Sequence, residues 1–220
     1  MTHDHSCTDE NDLLSREFWD HRYASKDALW SGNPNPHLVD QVAELTPGTA
    51  LDVGSGEGAD AIWLAARGWQ VTGLDISQVA LDRAAGHAAR SGPEIAQRIT
   101  WRQGDLLSWS LTDRYDLVTA HFIQLPGPAR RLLHRQLAAA VRPGGSLLIV
   151  GHHPADLRTS AGRPDIPGFL FTAEQVAEEL DPQRWHVVVA AAPERQIVDP
   201  EGRPVTISDA VLRAVRLRTG

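Results

Sequence analysis

LDVGSGEGAD, residues 51–60, sets Gly54, Gly56 and Gly58 between an apolar stretch and a helical one, with Asp52 just ahead of them. The preceding TALDV reads as a buried strand, and GADAIWLAARG reads as a helix closed by Gly68. Glycine permits positive φ and carries no β-carbon, so a ligand can touch the backbone there. One glycine would suffice for a turn, so three argue for a ligand. The helix behind the loop would offer free N–H groups and a positive dipole end.

The same alternation continues downstream. WQVTGLD is a strand and SQVALDRAAGHAAR a helix with Ser77 as N-cap. ITWRQGD and YDLVTAHF are strands, PARRLLHRQLAAAV is a helix stopped by RPGG, and SLLIVGHH is a strand. TAEQVAEEL follows as a helix, with Thr172 and Gln175 at capping-box spacing. WHVVVAAA and AVLRAVRL are read as the last strands, though the second also suits a helix. Upstream, SREFWDHRYAS and HLVDQVAEL read as short helices on either side of LWSGNPNP. Strands alternating with helices imply an α/β fold with a mostly parallel, doubly wound sheet. The division expected is a flexible tail over 1–14, a helical lid over 15–46 and one domain over 47–220.

In such a sheet, ligands bind beyond the C-terminal strand ends near the switch in strand order. Asp52 would repel a phosphate but suits a ligand carrying an ammonium and a sulfonium. Asp75 closes the second strand, 21 residues after Gly54, where a carboxylate can accept from both hydroxyls of a ribose. QGDLL closes the third strand, so Asp105 could take an adenine amino group and Leu106 could pack on its ring. His121 ends the fourth strand, and His152 and His153 end the fifth.

With LDVGSGEG, VTGLDIS, QGDLL, YDLVTAHF and LAAAVRPGGSLLIV in this order, the chain resembles the class I S-adenosylmethionine-dependent methyltransferases. The resemblance runs from about residue 30 to the end. It implies a Rossmann-like, seven-stranded sheet with an antiparallel last strand, and S-adenosyl-L-methionine as cofactor. By motif position, Asp52, Gly54, Ser55, Gly56 and Gly58 would line the methionine part. Asp75 would serve the ribose and Asp105 with Leu106 the adenine, with Ile76 also at the cofactor. At its strand end, His121 would shape the methionine part. ALWSGNPNPHLVDQV looks like the lead segment of the thiopurine and tellurite-resistance methyltransferases, in which a tryptophan lies over the cofactor. Trp30 would take that part, or else pin the N-terminal helix as a core aromatic.

Methyl transfer from a sulfonium needs alignment above all, and a base only where the acceptor must lose a proton. His121, His152 and His153 are the catalytic candidates, and since neighbours on a strand point opposite ways, only one of the last two should enter the pocket. Arg158, Arg163 and Arg195 could gather an anionic acceptor. The acceptor is expected to be a small molecule: a thiol, a metalloid oxyanion, a halide, or a phenol or quinone. An NAD-dependent oxidoreductase and a non-catalytic cofactor-binding module are the alternatives.

The 220 residues carry a net charge of −7, which argues against a general nucleic-acid binder. Cys7 is the only cysteine, so no intrachain disulfide forms. No metal site is expected, since His3, His5 and Cys7 sit on a polar tail without a fixed fourth ligand. The N-terminus does not read as a signal peptide and no apolar run reaches spanning length, so a cytoplasmic monomer or homodimer without membrane association is expected.

Overall fold

A computed structural model describes residues 15–105, 107–108 and 112–218. Helices α1 (Arg16–Ala24) and α2 (Pro36–Val42) precede β1 (Thr49–Val53), α3 (Ala59–Ala66), β2 (Gln70–Asp75), α4 (Gln78–Ser91), α5 (Pro93–Ala96) and β3 (Ile99–Gln103). Then come β4 (Tyr115–His121), α6 (Gly127–Ala140), β5 (Val141–His152), α7 (Ala173–Glu178), β6 (Trp185–Ala191), β7 (Glu194–Val198) and β8 (Pro204–Arg216).

The sheet order is β3-β2-β1-β4-β5-β8-β6, with β7 paired to β8 alone. β1 pairs in parallel with both β2 and β4, so the strand order switches beside it. β8 runs antiparallel to both β5 and β6. The antiparallel last strand is therefore as expected, but the sheet has eight strands where seven were expected. The extra one is β7, whose two inward residues, Arg195 and Ile197, alternate too briefly to stand out in the sequence. AVLRAVRL is strand rather than helix because its residues pair on both sides, against β5 and β6. RPGG does not separate α6 from the next strand either; β5 begins at Val141 and runs through it.

Parallel strands covered on both faces are apolar throughout, and β1 is buried from Ala50 to Val53. One core cluster packs α6 and α7 on one face, around Leu133, Leu137, Leu147, Ile149, Phe171 and Val176. The other packs α2 and α3 on the opposite face, around Leu38, Leu64, Trp69, Leu117 and Leu148. Local signals place the helix starts. Ser77 Oγ accepts the Ala80 N–H at 3.1 Å, and Thr172 with Gln175 forms the full capping box. No helix among the described residues is long and apolar enough to cross a membrane.

Candidate active site

The C-terminal end of β1 runs into a loop in which Gly54, Gly56 and Gly58 all have left-handed φ, at 67°, 51° and 87°. A β-carbon on Gly56 would lie 2.9 Å from Tyr23 Oη, and one on Gly58 would lie 2.7 Å from the Trp101 ring. On Gly54 it would meet Ile123 at 2.9 Å, so at all three glycines a β-carbon would press on the chain itself. Ser55 points under the loop, its buried Oγ without a partner.

Asp75, only 6% exposed, holds this loop from below. Its Oδ2 accepts the Gly56 N–H at 2.8 Å and its Oδ1 the Ser77 N–H at 2.9 Å. Burial raises its pKa, against these backbone donors. Ile76 is half-buried beside it. Asp105 is exposed at the end of β3, and its Oδ1 accepts the Leu107 N–H. Leu106 lies outside the described residues, as does the tail over 1–14.

A buried ionic cluster sits beside the loop. Asp52 Oδ1 accepts from Thr119 Oγ1 at 3.0 Å, while Asp52 Oδ2 is buried with no partner. His121 Nδ1 lies 2.7 Å from Asp60 Oδ2, and His121 Nε2 is buried and unpartnered. Ligating atoms of Asp52, Asp60 and His121 fall within 4.8 Å of one another. Burial, then the Asp60 charge, pushes the Asp52 carboxyl up to about 7. Burial opposes a charge on His121, but the Asp60 and Asp52 carboxylates outweigh it and raise its pKa. An acceptor-rich cluster with an orphaned carboxylate oxygen fits an ammonium group, so the residues present suit the methionine end of the expected cofactor.

The N-terminal segment is tied to this edge at several points. Asp20 accepts from Ser77 Oγ at 2.6 Å, and Glu57 accepts the Leu29 and Trp30 N–H groups and pairs with Arg83 at 3.0 Å. Asn35 N–H donates to Asp60 Oδ1 at 2.6 Å. Trp30 is 51% exposed, which overturns its reading as a core aromatic, and its Nε1 donates to Tyr23 Oη at 3.0 Å. Tyr23 is buried, and burial with the Asp75 charge raises its pKa.

A second polar cluster follows β5. His152 is buried, its ring 4.6 Å from Phe122, the only described non-glycine residue with positive φ, at 53°. Burial, Arg163 and Arg195 push the His152 imidazole down to about 4. Asp209, fully buried, takes Arg195 Nε at 2.5 Å and His37 Nε2 at 3.0 Å. Asp156, also buried, lies 3.7 Å from Arg163 Nε. His153 faces the other way and caps the short 3₁₀ helix over Pro154–Arg158, accepting the Ala155 N–H. Arg158 is exposed. Sequence reading missed Tyr23, Asp60 and Thr119 beside the loop, and His37, Asp156 and Asp209 in this second cluster. Of these only Asp60 sits near the glycine motif, where it could have been noticed.

Residues 50–145 match the family profile of a methyltransferase domain. A methyltransferase domain therefore spans these residues, on the class I methyltransferase fold. Among relatives of this chain is a 2-heptyl-1-hydroxyquinolin-4(1H)-one methyltransferase of Mycobacteroides abscessus (strain ATCC 19977), 28% identical, over 72% of this chain and 68% of the relative. Another is a ubiquinone biosynthesis O-methyltransferase of Alkalilimnicola ehrlichii, 35% identical, over 66% of this chain and 58% of that one. A solved structure from work on the conversion of a disulfide bond into a thioacetal group during echinomycin biosynthesis shares the fold. It has a TM-score of 0.73 at 23% identity, with 93% of each chain covered.

Proposed function

We propose that the chain transfers the methyl group of S-adenosyl-L-methionine to a small-molecule acceptor. The observation that carries this reading is the unpartnered, buried Asp52 Oδ2 beside the left-handed glycine loop. Asp52 would hold the ammonium, with Asp60 and His121 fixing its surroundings. Asp75 keeps one lone-pair direction on each oxygen for ribose hydroxyls. Asp105 would accept from the adenine amine, the left-handed turn at Gly54 and Gly56 would present backbone to the ligand, and Trp30 would cover it. The segment over 15–46 acts as a lid, tied down through Asp20, Glu57 and Asp60. When bound, the cofactor supplies an activated methyl group; the protein aligns the acceptor with it and excludes water. The relatives' names, a hydroxyquinolinone and a ubiquinone-pathway enzyme, support a small acceptor.

Calorimetry across pH 6 to 8.5 tests the reading. Asp52 must be ionised to hold an ammonium, so affinity should rise with pH through about 7 and binding should release a proton. Asp52→Asn should remove the proton release and weaken S-adenosylhomocysteine by about tenfold or more, the loss of a hydrogen bond to a charged group. Because burial raises this carboxyl, wild-type stability falls as pH rises between the ordinary aspartate range and about 7. The variant should therefore also be the more heat-stable at pH 8. Binding of NAD in place of S-adenosylhomocysteine would refute the reading.

A further inference from the structure

The cluster after β5 is rich in donors and holds no strong base. Arg195 spends Nε and Nη2 on Asp209, and no hydrogen bond from its Nη1 is found among the described residues. Arg163 is mostly buried; its Nε has no partner, and the nearest carboxylate oxygen is 3.7 Å away. The other oxygen of that Asp156 is taken by the Ser208 N–H at 2.8 Å. His152 Nδ1 is buried without a partner, 4.0 Å from Asp209. The charged and titratable groups that face His152 come from every neighbouring element. They are Arg163 with Asp156 in the loop after β5, Arg195 on β7, Asp209 on β8, and His37 of α2 behind Asp209.

Phe122 links this cluster to the glycine loop. Ile123, next in the chain, is what a β-carbon on Gly54 would meet at 2.9 Å. The Phe122 ring tilts 32° to that of His152, and the Arg195 guanidinium lies 5.8 Å from its centre. A bulky residue held in the left-handed region is strained, and such strain concentrates at functional sites. The β7–β8 hairpin and the loop after β5 are tied together, Ser160 Oγ donating to Asp199 Oδ2 at 2.7 Å and the Ser208 N–H to Asp156 Oδ1 at 2.8 Å.

Resting on the proposed methyl transfer, we infer that the acceptor is a planar aromatic acid of oxygen or sulfur. It binds already ionised, stacked near Phe122, with its anion toward Arg163 and the free edge of Arg195. Nearby guanidiniums favour the charged form of a bound acid. A histidine that resists protonation is a poor base, and here it need not be one. The anion's lone pair forms the bond to the methyl carbon as the carbon–sulfur pair returns to sulfur. Anion and sulfonium become a neutral ether or thioether and a neutral sulfide, and no proton is left to place.

The test uses 4-nitrophenol, whose absorbance reports its own ionisation, titrated with the full chain in saturating S-adenosylhomocysteine. The ionisation midpoint of the bound probe should fall by about one pH unit or more, a tenfold change in equilibrium. Arg163→Gln should abolish most of the shift and Arg163→Lys retain it, while His152→Asn leaves it in place. Overturning results are no binding of the probe, an unshifted or raised midpoint, or a shift lost with His152→Asn and kept with Arg163→Gln. If S-adenosylhomocysteine itself does not bind, the proposed function fails separately, and the same titration of the unliganded chain still tests the anion site.

Discussion

The two halves of the sheet's C-terminal edge are built in opposite ways. On the β1–β2 side, the loop is held by residues close in sequence: Gly56 and Ser77 hang from Asp75, 19 and 2 residues away. On the β5–β8 side, Asp209 gathers His37 from 172 residues away and Arg195 from 14. The first half depends on backbone conformation, so its positions accept few side chains. The second depends on paired charges buried together, so its positions tolerate shape changes but not the loss of one partner.

A glycine comparison should separate the halves most sharply. Gly56→Val puts a branched side chain at a φ of 51° and within 2.9 Å of Tyr23 Oη. Cofactor binding should be lost by calorimetry. Gly202, at the β7–β8 turn, also has positive φ, at 82°, but nothing lies within 4 Å of its missing β-carbon. Gly202→Ala should cost about 1 kcal/mol of stability from strain alone and leave cofactor affinity intact. Equal binding by both variants would remove the ligand role from the glycine loop.

The charge-built half should respond in stability before it responds in affinity. Burial raises the Asp209 carboxyl, but bonds from His37 and Arg195 more than offset this and leave it lowered. Asp209→Asn should destabilise the fold by about 2–3 kcal/mol in denaturant titration. Removing one member of a buried pair costs about 3–5 kcal/mol, and Arg195, 34% exposed, recovers part of that from water. The sign with pH follows from the lowered carboxyl: its contribution is full above the ordinary aspartate range and lost as pH falls below it. The gap between variant and wild type should therefore be widest at neutral pH and close on acidification. A gap that widens in acid would mean that Asp209 is not the charge on which this half is built.

The same contrast explains what could be read from the sequence. The glycine loop, the strand-end carboxylates Asp52 and Asp75, and the Ser77 and Thr172 caps are local patterns, each within a few residues of the element it marks. The parallel sheet followed from the alternation of strands and helices, and the antiparallel last strand came with the resemblance those motifs carry. Strand β7 escaped because its alternation holds only Arg195 and Ile197, and its pairing is to β8 alone. His37 and Asp209 could not be paired from sequence, since nothing local connects positions 172 residues apart. Between His152 and His153 the strand rule left the choice open. The structure shows His152 in the buried cluster and His153 capping the helix that follows.

The smallest effect is expected in the N-terminal segment, which bonds to both halves, to Glu57 and Asp60 on one side and through His37 to Asp209 on the other. Trp30 is 51% exposed, and its main chain, not its ring, is what Glu57 holds. Among the described residues, the ring's polar contact is Nε1 to Tyr23 Oη at 3.0 Å. Trp30→Ala should therefore leave the segment in place, with a change in stability within about 0.5 kcal/mol, as for surface substitutions generally. If the indole covers the bound cofactor, the truncation removes apolar contact from the ligand and lets water reach the methyl group. Affinity for S-adenosylhomocysteine should then fall by about threefold to tenfold, equal to about 0.7–1.4 kcal/mol, a fraction of one buried aromatic. Trp30→Phe keeps the apolar face and loses the donor to Tyr23, so it divides the two contributions. Affinity near wild type in the phenylalanine variant assigns the effect to covering the ligand; a loss equal to that of alanine assigns it to the bond with Tyr23. Unchanged affinity in both would show that the N-terminal segment is clamped to the site without serving as its lid.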